Sequence, residues 1–373
     1  MIEVREVSGA KMRKQFLDFP LKLYKGNEFF VPPLYSDEKK IFRKDYVYND
    51  TCESVFFNAY KDGVMAGRIS GILQKAANEK YGEKKVRFTR FDCIDDREVS
   101  AALFAALEKW ARSRGMDTVV GPLGYSDLER EGLLIEGFDQ LCTFEEQYNY
   151  EYYQHHIDAL GYEKDVDWLE SQIRLPEDGG ENLMHIGAYL REKSNLHTSD
   201  AKNVNEFVKK YADDFFNMLD RSYDKIYGTV PFTEGMKKMM IDNFRLLFDT
   251  RYICLVLNDL EQAIAFGILL PSMSKTLNKC QGKLYPWVLP KLLWEIKHPK
   301  VFDLGLIGVD PDYLGSGAVA CIMAKLVELL RESGVDHCET NLNLENNMAI
   351  RKLWRKFDAI ENKRRRCYIK QLQ

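Results

Sequence analysis

The sequence predicts an α/β protein in which one arrangement is used twice, each copy a mixed sheet flanked by helices. Three observations lead there. Residues 302–334 (FDLGLIGVDPDYLGSGAVACIMAKLVELLRESG) read as a buried strand, a glycine turn and an amphipathic helix. Two stretches, 53–74 and 252–270, each read as a hairpin of apolar runs around a turn. After each hairpin the same order follows: a strand, a long amphipathic helix ending at glycine, a strand, a shorter helix and a last strand. An internal repeat accounts for that order.

Taken along the chain, residues 2–7 (IEVREV) form a predicted strand and 11–25 a helix. The aromatic, proline-bearing loop 27–37 either packs on the core or covers a binding cleft. Lys61-Asp62-Gly63 turns the first hairpin. A strand over 85–94 leads to Asp95 and Asp96, which suit a helix N-cap. Val99, Leu103, Leu107, Trp110 and Ala111 share the face of that helix, and Gly115 ends it. A strand over 117–124, a glycine-rich loop over 121–138, a tyrosine-rich helix over 146–161 and a strand over 167–175 complete the first half. Pro176-Glu177-Asp178-Gly179-Gly180 reads as a linker, and 183–250 as mostly helical opening elements of the second half. Its hairpin turns at Asn258-Asp259. After the helix that starts near 318 come a strand over 336–344, a short helix over 347–357 and a last strand over 366–369. The domain limits expected are 1–175, a linker region 176–195, and 196–373.

Composition narrows the function classes. Hydrophobic residues are 45% and charged residues 29%, a balance that argues against disorder, and the net charge of −4 does not suggest a nucleic-acid binder. Eight cysteines are scattered without a C-x-x-C pair or a histidine cluster, so no metal and no disulfide framework is expected. Reduced thiols suit a cytoplasmic protein. The N-terminal residues lack a signal peptide's apolar core, and no apolar run approaches a membrane span.

The glycine turn carries the chemistry. Glycines let backbone approach an anion, and the first amides of a helix point outward unpaired, with the helix dipole adding a favourable field. A phosphate or pyrophosphate is the natural guest. A ligand-free strand-to-helix turn is the plain structural alternative. The corresponding junction of the first half, DCIDDREVS over 92–100, has no glycine and several acids, which would repel a pyrophosphate.

This stretch resembles the coenzyme A-binding segment of the GNAT acyltransferase superfamily, in which V-x-P-x-Y is followed by Q/R-x-x-G-x-G/A. Val309, Pro311 and Tyr313 fit the first part, and Leu314-Gly315-Ser316-Gly317-Ala318-Val319 fills the second. It departs at Leu314, where the family has Gln or Arg, and at Val319, where it has a small residue. Asn347 matches the family's N-x-x-A-x-x-x-Y helix, while Trp354 stands at the position of a tyrosine that protonates the leaving thiolate. The stretches GRISGI, GPLGYSDLEREGLLIEGF, YNYEYY and VPFTE extend a resemblance to bacterial tandem GNAT proteins over nearly the whole chain.

The resemblance implies two tandem GNAT-like domains, the second with a degenerate coenzyme A motif, and an acyltransferase acting on an undefined amine. Coenzyme A or acetyl-CoA would be a substrate, contacted by Gly308, Val309, Leu314, Gly315, Ser316, Gly317, Ala318, Val319 and Asn347. Glu345 and Glu339 are candidate proton acceptors, and Tyr313 or Tyr285 could supply a phenol to the thiolate. Asn341 and Asn343, read as alternating on one strand, together with Tyr148 and Tyr152 of the tyrosine-rich helix, are candidate acceptor-binding residues. Cys321 and Cys338 lack the surroundings of an activated thiolate, so direct transfer without an acyl-enzyme is expected. Two other readings stand beside this one: a non-catalytic coenzyme A or metabolite sensor, and an aminoacyl transferase using charged tRNA. The partner is then a small-molecule or peptide amine, with a homodimer as an open possibility.

Overall fold

The computed structural model describes residues 1–247 and 249–373; Phe248, which falls in the stretch expected to be mostly helical, and the side chains of residues 244–247 lie outside the described residues. The chain divides into two compact units. One comprises Met1–Leu169, Met273–Leu289 and Asn362–Gln373; the other comprises Glu170–Ser272 and Pro290–Glu361.

In the first unit the strands Ile2–Glu6, Cys52–Lys61, Val64–Gln74 and Lys85–Cys93 form an antiparallel run. Its hairpin turns at Asp62 and Gly63, whose φ angles of 51° and 80° suit the Asp-Gly pair. The helix Arg97–Ser113 then crosses over, and Thr118–Gly121 returns parallel to Lys85–Cys93. Val99, Leu103, Leu107 and Ala111 are buried against the sheet, as their spacing predicts. The end of the strand Asp358–Gln371 pairs with Thr118–Gly121, from Tyr368 opposite Gly121 to Gln371 opposite Thr118.

The second unit repeats this order. Ile253–Leu257, Ala263–Pro271 and Val301–Val309 run antiparallel, the helix Ala318–Glu332 crosses over, and His337–Thr340 lies parallel to Val301–Val309. The helix Ala318–Glu332 buries Ile322, Met323, Leu326, Leu329 and Leu330 on one side. Residues 181–193, expected within the linker region, form a helix packed on Ala318–Glu332. Gly187 permits the approach: a Cβ there would lie 2.5 Å from that of Ala324.

The closing strands are exchanged between the two sequence halves. Gln172 and Ile173, near the end of the first half, pair with Glu339 and Cys338 in the second unit. Arg364–Gln371, at the end of the second half, pair with strands of the first unit. Two other expectations change. The strand expected over 336–344 breaks into His337–Thr340 and Asn343–Leu344, because Asn341 turns its side chain onto neighbouring backbone. The tyrosine-rich helix begins only at Tyr152 and ends at Ala159, leaving Tyr148 and Asn149 in the preceding loop.

Candidate functional site

In the second unit the site grows out of one strand losing a neighbour. Val301–Val309 pairs with His337–Thr340 only as far as Leu304 opposite Thr340. On its other side it stays paired with Ala263–Pro271 up to Val309 opposite Ala265. Gly305 to Val309 therefore present one edge that the parallel neighbour does not cover, and these residues are half-buried whereas Phe302, Asp303 and Leu304 are buried. The parting begins at Gly305. Two side chains reach the free edge: Asn341 Nδ2 donates to the Gly305 carbonyl at 3.0 Å, and the Tyr223 hydroxyl donates to the Ile307 carbonyl at 3.0 Å. With those two carbonyls taken, the edge offers its amides to an extended amide-bearing ligand as a further strand would.

The edge runs into the glycine turn. Asp310 opens the turn, its carboxylate accepting from Asp312 N at 2.9 Å and pairing with Arg221 at 3.1 Å. Gly315 and Gly317 have φ angles of 85° and 94°, in the left-handed region that disfavours side chains. They differ in surroundings. A Cβ on Gly315 would meet nothing within 4 Å, while one on Gly317 would lie 2.8 Å from Leu190 Cβ. Gly317 caps the helix Ala318–Glu332 with no side-chain hydrogen bond and no acid in the first turn. The Ser316 hydroxyl accepts from Ala318 N at 3.3 Å. Leu314 is exposed, and Val319 packs against the core.

The first unit has the same parting, closed. Lys85–Cys93 pairs with Thr118–Gly121 only to Arg87 opposite Val120. Beyond that point Leu123 N donates to the Phe88 carbonyl at 2.9 Å, the Tyr152 hydroxyl donates to the Cys93 carbonyl at 2.7 Å, and Cys93 N donates to the Tyr153 hydroxyl at 3.0 Å. Phe88, Phe91 and Cys93 are buried. The following helix has its own anion in place, since the Asp96 carboxylate accepts from Glu98 N at 3.0 Å and pairs with Lys61. Here two tyrosines and a capping aspartate fill the parting and the helix start, whereas the second unit has side chains on the Gly305 and Ile307 carbonyls and no acid in the first turn of its helix.

The other predicted residues fall as follows. Gly308 is held small by its neighbours, for a Cβ would lie 2.6 Å from the Phe266 ring and 2.9 Å from Ser222 Oγ. The Asn347 side chain caps the helix Met348–Trp354, accepting from Ile350 N at 3.3 Å. The Tyr313 phenol oxygen accepts from Asn258 Nδ2 at 2.8 Å, which leaves its own proton to donate. Glu339 is buried and accepts from Gln172 Nε2 at 2.9 Å, with His337 Nε2 at 3.2 Å. Burial alone would lower the His337 pKa, but its hydrogen bonds to Glu339 and Asp336 outweigh that and raise it. Glu345 is half-buried, its carbonyl taken by Arg351 at 3.2 Å.

Asn343 donates to the Asn341 carbonyl at 2.6 Å and accepts from the Trp354 indole at 3.4 Å. Asn341 and Asn343 therefore support the parted strand and the buried tryptophan, and do not alternate on one continuous strand. In the first unit the Tyr148 hydroxyl donates to the Phe138 carbonyl at 3.1 Å. Cys321 and Cys338 are buried, and burial pushes both thiols up, away from a reactive thiolate. Among the described residues no group of three or more His, Cys, Asp or Glu could hold a metal ion, and no helix is long and apolar enough to cross a membrane.

Sequence reasoning passed over Tyr223. It ends the helix Val204–Tyr223, and only the fold carries it to the Ile307 carbonyl. In the first unit Glu131 is a buried carboxyl whose Oε1 has no hydrogen-bond partner. Burial, then the nearby Asp127, push its pKa well above the usual carboxylate range against the pull of Arg87. The acid-rich run around it gave no sign that this one side chain is enclosed.

A solved structure shares the fold. A tandem GNAT protein from the clavulanic acid biosynthesis pathway superposes with a TM-score of 0.57 at 12% identity, covering 100% of this chain and 98% of its own. The chain has a tandem GNAT fold. The parted strand and the glycine turn lie in the second unit of this fold, and the closed parting lies in the first. No family model matches the sequence. Among curated proteins, this tandem GNAT-fold chain is similar to protein YghO of Escherichia coli (strain K12), 28% identical over 96% of this chain and 93% of that protein. It is also similar to a bacterial ceramide synthase of Caulobacter vibrioides, 25% identical over 96% of this chain and 94% of that one.

Proposed function

We propose that this protein transfers an acyl group from a coenzyme A thioester to an amine, with the donor held only in the second unit. The observation that carries the reading is the open strand edge Gly305–Val309 running into a helix N-terminus whose capping residue is Gly317 and whose first turn holds no acid. The pantetheine arm would lie along that edge, and the amides of Gly315 and Gly317 would face the pyrophosphate, while Ser316 N donates to the Tyr313 carbonyl and Ala318 N to the Ser316 hydroxyl. In the first unit the Asp96 carboxylate and the tyrosine hydroxyls stand in those places.

The reaction is direct. The amine nitrogen attacks the thioester carbonyl, the C–N bond forms, the C–S bond breaks, and the thiolate leaves. The proton lost by the amine goes to a carboxylate through water. Glu345 is the more available of the two candidates, because Glu339 is buried between Gln172 and His337. Tyr313 is the phenol next to the parted strand in sequence, and because its oxygen accepts from Asn258 it keeps a proton that can return to the thiolate, whereas the Tyr223 proton is donated to the Ile307 carbonyl. The Caulobacter relative is named for making a ceramide, which is an amide of a long-chain amine. We extend that acceptor class, a long-chain amino alcohol with a fatty acyl donor, to this chain.

Thiol release measured with donors from acetyl to palmitoyl, against polyamines, amino sugars, peptides and long-chain amino alcohols, tests the proposal. Release should need donor and acceptor together. An acyl-enzyme trapped without acceptor would overturn direct transfer. The sensor reading has one observation of its own, the tryptophan at position 354 whose indole is committed to Asn343. Coenzyme A binding with no release from any donor decides for it.

A further inference from the structure

The helix Glu181–Lys193 stands ahead of the arrangement that the two units share. It runs antiparallel along the helix Ala318–Glu332, and glycines let it come close. A Cβ on Gly180 would press on Val327, and one on Gly187 would lie 2.5 Å from Ala324 Cβ. Its last turn reaches the glycine turn itself. Leu190 is the side chain that a Cβ on Gly317 would meet, and the Ser194 hydroxyl donates to the Ser316 carbonyl at 2.8 Å. Positions 190 and 194 share one helix face, so the end of this helix rests on the turn. All of these residues belong to the second unit.

That end of the helix is basic. Arg191 and Lys193 stand in its last turn, both exposed, and neither is in an ion pair among the described residues. Burial raises the pKa of the Cys321 thiol and the Arg191 charge pulls against it, which puts Arg191 beside the first turn of Ala318–Glu332. Glu192, between the two cations in sequence, points away from the turn, about 200° around the helix from Leu190. The turn has no cation of its own. Leu314 to Gly317 are uncharged, and the acids before them, Asp310 and Asp312, are both paired with Arg221, at 3.1 and 2.5 Å. Basic residues in a last turn favour their own helix dipole. That does not account for the exposed apolar side chains flanking the same place. Leu314 opens the turn at 71% exposure, and Tyr189, next to Leu190, is 61% exposed with Lys193 Nζ 5.7 Å from its ring centre.

We propose that this helix end recognises the 3′-phosphoadenosine portion of the acyl donor, Arg191 and Lys193 meeting the 3′-phosphate and Tyr189 the adenine. The inference rests on the acyl-transfer reading and narrows its donor class. With the pantetheine arm on the strand edge before the turn, the adenosine has the helix end at Ser316 and Gly317 as its neighbour. A phosphate monoester gains charge-assisted hydrogen bonds from the two cations, and a planar base gains contact with an exposed ring. The donor is therefore a free coenzyme A thioester. A thioester on the phosphopantetheine of a carrier protein has no adenosine and no 3′-phosphate, and would leave all three side chains unused.

Three ligands separate the parts: coenzyme A, 3′-dephospho-coenzyme A and 4′-phosphopantetheine, each titrated into the full chain by calorimetry. Coenzyme A should bind about tenfold or more tightly than the dephospho form, and the dephospho form more tightly than phosphopantetheine. The double variant Arg191→Ala, Lys193→Ala should weaken coenzyme A about tenfold while the dephospho form stays within about twofold. Tyr189→Ala should weaken both nucleotides alike and spare phosphopantetheine. Lys193→Arg, which keeps the charge, should retain coenzyme A binding. The three side chains are exposed, so every variant should keep the wild-type melting temperature. Equal binding of coenzyme A and its dephospho form to the wild type overturns this proposal and leaves the acyl-transfer reading standing. So does a double variant that weakens both alike. Binding of none of the three ligands overturns the acyl-transfer reading and this proposal with it.

Discussion

Asn341 donates its side-chain amide to the Gly305 carbonyl one residue beyond the last paired position, Leu304 opposite Thr340. The bond satisfies a carbonyl that the parallel strand would otherwise have taken, and so holds the two strands apart at the mouth of the open edge. Asn341→Ala should leave that carbonyl to water and let the edge drift. The loss expected is about 0.5–1.5 kcal/mol of donor binding, read as a weaker coenzyme A thermal shift, with a smaller change in the melting temperature of the unliganded protein.

The two glycines of the turn should fail differently. A side chain at position 315 meets open space, and aspartate tolerates the left-handed region better than most residues. Gly315→Asp should fold and, on the proposed reading, weaken coenzyme A binding by about 1–3 kcal/mol, by calorimetry, because its carboxylate would face the pyrophosphate. Gly317→Ala should instead press on Leu190 and lower stability by about 1–3 kcal/mol in chemical denaturation. Equal effects of the two on folding would contradict the assignment.

His337 sets a pH dependence of stability. Its folded pKa is raised above the ordinary value of about 6.5 by Glu339 and Asp336, which prevail over burial. A raised pKa means that the protonated form is the one stabilised in the fold. The contribution is complete below about pH 6.5 and is lost as pH rises through the folded pKa. His337→Gln should therefore flatten the stability profile on the alkaline side, measured by denaturation between about pH 6 and 9. An unchanged slope would mean that the imidazole is neutral in the fold.

Trp354 should matter to the fold more than to the rate. It is buried, and its indole donates to Asn343 Oδ1. Trp354→Phe removes that donor and part of a packed ring, at about 1–2 kcal/mol. The rate per folded molecule should stay within about twofold, since an indole is no acid at neutral pH. A large fall in rate with stability unchanged would put Trp354 in the chemistry.

Local pattern carried much of this into view. The Asp62-Gly63 turn, the Asp96 cap and the buried face of Ala318–Glu332 each depend on residues close in sequence, and each stands where periodicity and turn chemistry put it. The glycine turn was legible for the same reason. What sequence could not carry was pairing across distance. Nothing in Tyr368 or Ile173 announces which strand it will lie beside, because the alternation of a strand says which face is buried and not which neighbour it has. Tyr223 and the closed parting of the first unit were hidden for that reason too. Asn347 and Gly308 were read as ligand contacts when helix capping and ring packing already use them, an ambiguity that residue type alone does not resolve.

The exchanged closing strands have a consequence for how the chain is made. The first unit's sheet takes in residues 364–371, so most of its sequence leaves the ribosome long before the strand that covers the edge at Thr118–Gly121. At about 5–20 residues per second, that edge waits some tens of seconds or less, exposed and able to pair with any other strand. Splitting the gene between the halves would produce two fragments that each carry the other's last strand. They would be expected to regain structure only together, and co-expression from separate transcripts would be the way to see it.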